Sequence, residues 1–547
     1  MTGYSQLDLI HLTVCTPVPE ARQAAFQVWL GRKGIVLEAQ RRFQEALFYD
    51  ADPETAALAR ELASVRGQIS RLTFARPESL DSAAIREASE TLRSRKETLE
   101  AALSTRADRF TRERKRANAT VTDLAASLPP GSTLVDICRY EVSDFAARKR
   151  KTGNFRYVAY VLPSGDANRI ALVDLGDAAA VDQAVNTLRA NIRNSADRDG
   201  RDTKQAARTL HDLVFAPLRK LLRDSSLVFL SPDGNLSLIP FEVLLGPDGR
   251  YAIEDFTFNY LSAGRDLLEF TPAETAGDGV VLFGDPDFNR ATNNPSSLKQ
   301  AGGNGDQQHS RGLDGIHFSR LPGTREEVLT LSKILGPEAV QVFLEDQADE
   351  AALERVAAPR VLHLATHGFF LGDQTLAALL GPDDASGMPG ISGAGSPVRR
   401  SFENPLLRSG LALAGANKAL STRDARVGQG IVTAEKILGL HLQGTEMVVL
   451  SACETGLGKV QAGEGVFGLR RAFAQAGVRS LVMSLWSVPD LETRELMESF
   501  YRTLRQPGCN RSDALRRAAL EAMDVARARY GWPNPFYWGA FVFLGQP

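Results

Sequence analysis

Apolar residues recur at helical spacing through the first 120 positions. Leu58, Leu62, Val65, Ile69 and Leu72 alternate steps of four and three, which puts all five on one stripe of a helix. Ile85, Leu92 and Leu99 continue at a seven-residue step beyond Pro77, and Val36, Ala39, Phe43 and Leu47 mark an earlier helix. Such stripes need a partner surface. They find one either on each other, as a hairpin, or as the last turns of a longer helical array. The basic run Arg106, Arg109, Arg112, Arg114, Lys115 and Arg116 is interrupted by Asp108 and Glu113 and reads as a solvated face.

Near residue 130 the period changes. Strand-like runs occupy Thr133–Tyr140, Tyr157–Leu162, Ile170–Asp174, Leu227–Leu230 and Phe256–Leu261, with helical segments at Ala178–Ile192 and Lys204–Leu222. A second series follows at Val280–Gly284, Val340–Leu344, Val361–Ala365, Gly410–Ala414, Met447–Ser451 and Leu481–Leu485, closing on Ala540–Leu544. Helices are predicted between them at Arg325–Leu335, Ala434–Leu440, Val466–Ala476 and Leu491–Leu504. Strands alternating with helices imply an α/β fold with a mainly parallel sheet. The pattern divides the chain into a helical region over 1–125, an α/β subdomain over 126–275 and a second α/β domain over 276–547. Asn289–Ser319 and Gly381–Glu403, rich in Gly, Ser, Asn and Pro, read as mobile loops of the kind that serve as lids or recognition segments.

Composition narrows the function classes. The chain has 547 residues, enough for about three domains, with 43% hydrophobic and 24% charged residues, an ordinary globular mixture. A net charge of −2 argues against affinity built on phosphate neutralisation, so no nucleic-acid partner is expected. No run reaches the roughly 20 apolar residues of a membrane span, and the opening MTGYSQLDLI lacks the features of a secretory leader. Cys15, Cys138, Cys453 and Cys509 are too few for a disulfide framework and lack zinc-ligand spacing. A cytoplasmic protein with no metal or other cofactor is expected, in which one thiol can be kept for its chemistry.

Two strand ends stand out. VLHLATHGFF (Val361–Phe370) stops at His367-Gly368, and VVLSACETGLG (Val448–Gly458) stops at Cys453 with glycines after it. Parallel sheets bind ligands beyond the carboxyl ends of their strands, so if these strands are neighbours an imidazole meets a thiol there. A free thiol, with a pKa near ~8.5, is mostly protonated at neutral pH. An adjacent imidazole can take its proton and later protonate a leaving amine. Small residues beside both groups let backbone N–H donors of Gly368 and Cys453 approach an oxyanion, where one donor is worth roughly 3–4 kcal/mol of barrier. The competing reading is packing. An intracellular cysteine is most often a small buried hydrophobe, the reading adopted for Cys138, Cys15 and Cys509, and His363 reads as a satisfied core histidine.

In order along the chain, VLHLATHGFF, SGLALAGA (Ser409–Ala416), GIVTAEKI, VVLSACETGLG, GEGVFGLRRAF, SLWSVPDLET and WGAFVFLG resemble the motifs of the CHAT domain, a bacterial caspase-like module commonly attached to tetratricopeptide repeats. SPDGNLSLIPFEVLL, LFGDPDF and LPGTREEV resemble its upstream segments, so the likeness runs over roughly 130–547. The resemblance, which extends to caspases, separases and gingipain-like peptidases, implies a caspase-like, mainly parallel sheet flanked by helices. It implies general acid/base chemistry at His367, a nucleophile at Cys453 and oxyanion donors at the Gly368 and Cys453 backbones. The α/β region over about 130–275 would be an inactive protease-like subdomain, and the N-terminal helices a repeat or linker remnant through which a regulatory protein could bind.

SLWSVPDLET resembles the separase segment whose Asp receives an arginine, which implies Asp490 in the first specificity pocket and cleavage after Arg or Lys. Capping of the helix starting near Leu491 is the alternative role of Asp490. Glu464 is the other acidic candidate, or a first-turn residue held by a helix dipole. Trp486 is a candidate aromatic wall. Gln429-Gly430 stands where many relatives carry Asp-Gly, and Lys459 and Gln461 remain unassigned. The expectation is a gated cysteine endopeptidase acting on protein substrates. Its alternatives are a catalytically silent scaffold and a transferase passing the thioester acyl group to an amine. Autoprocessing after Arg399 or Arg400 is a further expectation.

Overall fold

The architecture was obtained as a computed structural model, which describes residue 13 and residues 19–33, 53–74, 82–107, 119–144, 149–194, 199–270, 277–290, 317–370, 405–422, 430–451, 459–461 and 465–547. The expected helix around Val36–Leu47, most of the two Gly/Ser-rich stretches with Arg399 and Arg400, and Cys15 lie outside the described residues.

Among the described residues, helices α1 (Pro19–Arg32), α2 (Pro53–Phe74) and α3 (Ser82–Ala107) precede the short α4 (Val121–Ser127). Helix α4 starts with a capping box in which Thr120 and Asp123 bond reciprocally. The stripes read from sequence pack on each other: Leu62, Val65 and Ile69 of α2 meet Leu99 and Leu103 of α3 in one cluster, joined by Leu407.

An eleven-stranded sheet organises the rest, in the order β3-β2-β1-β4-β5-β16-β15-β12-β8-β6-β7. Its first part comprises β1 (Ser132–Asp144), β2 (Lys149–Pro163), β3 (Ala171–Asp177), β4 (Leu227–Ser231) and β5 (Thr257–Tyr260), with helices α5 (Ala178–Ile192) and α6 (Arg201–Leu210). The second part contributes β6 (Val280–Pro286), β7 (Val340–Glu345), β8 (Val361–Leu364), β12 (Met447–Leu450), β15 (Ser480–Ser484) and β16 (Phe541–Gly545). Its helices are α7 (Pro322–Leu335), α8 (Glu350–Arg355), α9 (Ala434–Ile437), α10 (Leu469–Gln475), α11 (Asp490–Leu504) and α12 (Arg511–Tyr530). The fold is α/β, a mixed, mainly parallel sheet flanked by helices. Strands β8 and β12 are buried along their whole length, which is why they read as unbroken apolar runs.

The last strand sets the relation between the two parts. β16 pairs parallel with β5 and antiparallel with β15, and Asn259 Nδ2 donates to the Gly545 carbonyl at 2.6 Å across the seam. The parallel strands of the two parts therefore run in opposite directions, and their carboxyl ends emerge at opposite edges of one continuous sheet.

Three local expectations change. Gly410–Ala414 does not join the large sheet: β10 (Ser409–Ala412) pairs with β9 (Gly368–Phe370) and β11 (Ile431–Thr433) in a small antiparallel sheet. Val466 belongs to a hairpin of β13 (Lys459–Gln461) and β14 (Gly465–Phe467), so α10 begins only at Leu469. The helix expected over Lys204–Leu222 is interrupted by a π turn at His211–Phe215, where Pro217 has no N–H for the carbonyl four residues earlier.

Candidate active site

The site is built around the carboxyl ends of β8 and β12, which lie side by side in parallel register, Leu364 opposite Leu450. Beyond β8 the chain crosses from the large sheet to the small one. Thr366 is buried, with its hydroxyl on the Ala412 carbonyl, and the His367 carbonyl accepts from Ala412 N at 2.9 Å. The His367 backbone is thus fixed between two sheets, and Gly368 begins β9 opposite Leu411.

The imidazole is half-buried between Phe288 and Phe318, with ring centroids 5.3 and 5.6 Å away. Its Nε2 lies 2.7 Å from the Ser319 carbonyl oxygen. A carbonyl only accepts, so Nε2 carries the hydrogen and Nδ1 is the nitrogen left for acid–base work. Among the described residues Nδ1 has no hydrogen-bond partner. Burial pulls the His367 pKa below its ordinary value, while the Ser319 bond and the Asp490 charge act the other way. A neutral imidazole with a free lone pair is the form a general base needs.

Ser319 is itself held. Arg320 clasps Asp285 through two bonds of 2.8 and 2.9 Å and reaches Glu345 at 2.8 Å, and Arg325 joins both carboxylates. Asp285 and Glu345 both adopt left-handed backbone angles, φ 45° and 50°, a strained setting for non-glycine residues that the two guanidiniums compensate. Sequence reading missed Ser319 because a main-chain carbonyl leaves no trace in residue type.

Asp490 is the first residue of α11, after Pro489 at the cap position. Its carboxylate accepts from the Gly323 N–H; burial, then the charge of Glu327, raises its pKa. The approach demands glycine, since a Cβ on Gly323 would come within 2.5 Å of Asp490 Cβ. A cavity of about 30 Å³ is lined by Asp490, Glu327, Thr324, Thr366 and Ser451 among others. Trp486 is buried and its indole N–H donates to the Phe536 carbonyl at 3.0 Å; it is not among the residues lining that cavity.

Cys453 and Glu464 lie outside the described residues. Ser451, two positions before the cysteine, is described, and it lines the cavity. Of the other cysteines, Cys138 is fully buried and its thiol is pushed well up, first by burial and then by Asp233, as suits an inert packing residue. His363 is buried in β8, with Nε2 2.9 Å from Glu327 Oε1 and Nδ1 3.1 Å from the Tyr501 hydroxyl. Gly430, in the segment that departs from the family pattern, has φ 107° and a backbone contact that leaves no room for a Cβ; its N–H donates to Glu350 at 3.2 Å. Among the described residues no group of three or more His, Cys, Asp and Glu could hold a metal, and no helix is long and apolar enough to cross a membrane.

Comparison with known proteins gives the lineage. The family model of the CHAT domain matches residues 204–546. Tetratricopeptide repeat protein 28 of Mus musculus is 27% identical over 363 residues, which cover 63% of this chain and 13% of that protein. Its Homo sapiens counterpart is 27% identical over 354 residues with the same coverage. The chain thus spans about an eighth of these curated relatives. Among solved structures, the Saccharomyces cerevisiae separase–securin complex at 2.6 Å aligns with 96% of this chain and 38% of its own, at 11% identity and a TM-score of 0.42. The Arg-specific cysteine proteinase gingipain R aligns with 68% of this chain and 74% of its own, at 9% identity and a TM-score of 0.34.

Proposed function

The chain belongs to the CHAT domain family, and from that premise we propose that it is a cysteine endopeptidase in which His367 activates Cys453. The observation that carries this reading is the state of His367: Nε2 is committed to the Ser319 carbonyl, leaving Nδ1 without a partner among the described residues, and the Asp490 charge bears on the ring. Ser451, at the carboxyl end of β12, lines the cavity that Asp490 and Glu327 share, and Cys453 stands two residues further along the chain.

The Cys453 S–H proton passes to Nδ1 and the thiolate attacks the scissile carbonyl carbon. The Gly368 and Cys453 N–H groups bind the resulting oxyanion. Collapse breaks the C–N bond as the imidazolium gives its proton to the leaving amine, and a thioester remains. Water, deprotonated by the same imidazole, attacks the thioester, releasing the acid and the thiol. Asp490 faces a cationic residue before the scissile bond, Arg or Lys, with Glu464 as a second acidic neighbour of the pocket; Trp486, buried against Phe536, is left out of it.

Gating has a physical route. Ser70 of α2 bonds Thr433 of β11 at 3.0 Å, and Lys96 of α3 bonds Glu435 at 2.6 Å, with Arg66 at 3.5 Å from the same carboxylate. Thr433 pairs with β10, which pairs with the strand following His367. A protein bound to the helices therefore pulls on the small sheet two strands from the site. The alternative, a silent scaffold, draws support from the cavity, whose 30 Å³ holds only about two waters.

The test is a peptide library varied at the residue before the scissile bond, run with wild type, Cys453→Ala and Asp490→Ala. Cleavage after Arg or Lys that is lost in both variants supports the reading. A wild-type chain that neither cleaves nor labels Cys453 with a thiol-directed acylating probe favours the scaffold.

A further inference from the structure

The cavity behind Asp490 holds a second carboxylate that the mechanism does not use. Glu327 projects from α7 and is only 1% exposed. Its Oε1 lies 2.9 Å from Nε2 of His363, whose Nδ1 lies 3.1 Å from the Tyr501 hydroxyl, so one carboxylate oxygen is held by the ring. Among the described residues neither Glu327 nor Asp490 forms an ion pair with a lysine or arginine. Two carboxylates that share a small cavity repel each other, and a bound cation removes the repulsion.

An independent feature points to a ligand. Ser451, on the same wall, is 5% exposed and its Oγ has no hydrogen-bond partner. Buried hydroxyls are mostly satisfied; other unpartnered ones, such as those of Ser231, Ser409 and Thr445, do not line this cavity, so Ser451 is the one that could meet a group entering it. Thr324, Thr366 and Thr493 add hydroxyls to the lining, and Leu321 and Val488 give it apolar sides suited to an alkyl stem.

We infer that Glu327 is a specificity-determining residue that, with Asp490 and Ser451, forms an acceptor set for a guanidinium and selects arginine over lysine before the scissile bond. The inference rests on the peptidase reading and deepens it. A guanidinium carries five N–H donors in a planar fork, so it can engage Asp490 at the rim while its far nitrogens reach Glu327 and Ser451. An ammonium is a compact charge on a flexible stem. Placed at one carboxylate, it leaves the other uncompensated and the serine unmet. Entry displaces the waters of the cavity and parts the rim at Asp490.

The test uses the full chain carrying Cys453→Ala, which cannot turn over, titrated calorimetrically with N-acetyl methylamides of arginine, lysine and citrulline. The arginine derivative is expected to bind about tenfold tighter than lysine, the worth of one charge-assisted contact, with neutral citrulline weaker than both. Glu327→Gln, which keeps an acceptor for His363, is expected to reduce arginine to the lysine level at an unchanged melting temperature. Ser451→Ala gives the same direction if Glu327→Gln does not fold. Equal affinity for arginine and lysine, no arginine binding, or undiminished selectivity in folded Glu327→Gln overturns the inference. The peptidase reading is scored separately, by cleavage with Cys453 restored: cleavage with equal use of arginine and lysine sinks only the inference, and selective binding without cleavage sinks only the peptidase reading.

Discussion

The two parts of the sheet end their parallel strands in opposite ways. In the first, Asp136 of β1 stands opposite Ser231 at the end of β4, and α1 closes the edge. Lys33 Nζ donates to Asp136 Oδ1 at 2.8 Å, to the Ile137 carbonyl at 2.9 Å and to the Ser231 carbonyl at 2.8 Å. Trp29 Nε1 and the Gly264 N–H complete the carboxylate's partners. In the second, the ends of β8 and β12 are left with an imidazole nitrogen that has no described partner, an unmet serine hydroxyl and two carboxylates that pair with no lysine or arginine among the described residues. One α/β design thus yields a joint where its edge is satisfied from within, and a candidate site where it is left short. The closed edge also explains how α1 is held, and it gives the "inactive half" reading of the first part a physical content that can be tested.

Breaking the second edge should have the largest effect. Cys453→Ala is expected to lower cleavage by at least about 10⁴-fold with the melting temperature unchanged, as read by single-turnover assay and calorimetry. Residual activity within tenfold of wild type would remove the thiol from the chemistry. Breaking the first edge acts on stability instead. Lys33→Ala strands Asp136, which is 0% exposed, without its counter-ion, and loss of one partner of a buried pair costs about 3–5 kcal/mol. Urea unfolding of Lys33→Ala and of the paired Lys33→Met, Asp136→Leu chain checks this: the double replacement should recover most of the loss. A single variant as stable as wild type would show that the joint holds nothing. Asp490→Asn comes next, with kcat/KM after arginine expected to fall about 10- to 100-fold, as for one charge-assisted contact.

The comparison was only partly legible in the sequence. The central strands fell close to their observed bounds because Val361–Leu364 and Met447–Leu450 are buried on both faces and need unbroken apolar runs, whereas β1 and β2 extend four and eight residues beyond the expected Tyr140 and Tyr157. The three-residue strands β9 and β11 carry no period, and nothing in Ser409–Ala412 says which sheet it joins. At the site, His367 and Asp490 announced themselves by strand-end position and family motif. Ser319 acts through a carbonyl that any residue has. Glu327 matters only because α7 lays it over β8, a packing fact absent from its neighbours in sequence. Lys33 lies a hundred residues from the strand it neutralises, beyond the reach of any local pattern.

The smallest expected effect concerns pH, and its sign follows from the balance at His367. Burial between Phe288 and Phe318 lowers the imidazole pKa from its model-peptide value of about 6.5, against the Ser319 bond and the Asp490 charge. Protonation therefore favours the unfolded chain. The stability this group contributes is complete above pH ~6.5 and is lost as pH falls through the lower folded value. Under the proposed mechanism the base form does the chemistry, so the acid limb of kcat/KM should also lie below about pH 6.5. Asp490→Asn sharpens the point: it removes the negative charge that holds the imidazole up, so the limb should move further towards acid even as the rate falls. Titration of the His367 ring resonances by NMR in the Cys453→Ala background, with and without Asp490→Asn, measures both shifts directly. An imidazole titrating above 6.5, or moving upward in the Asn variant, would mean that a charge other than Asp490 governs the open edge.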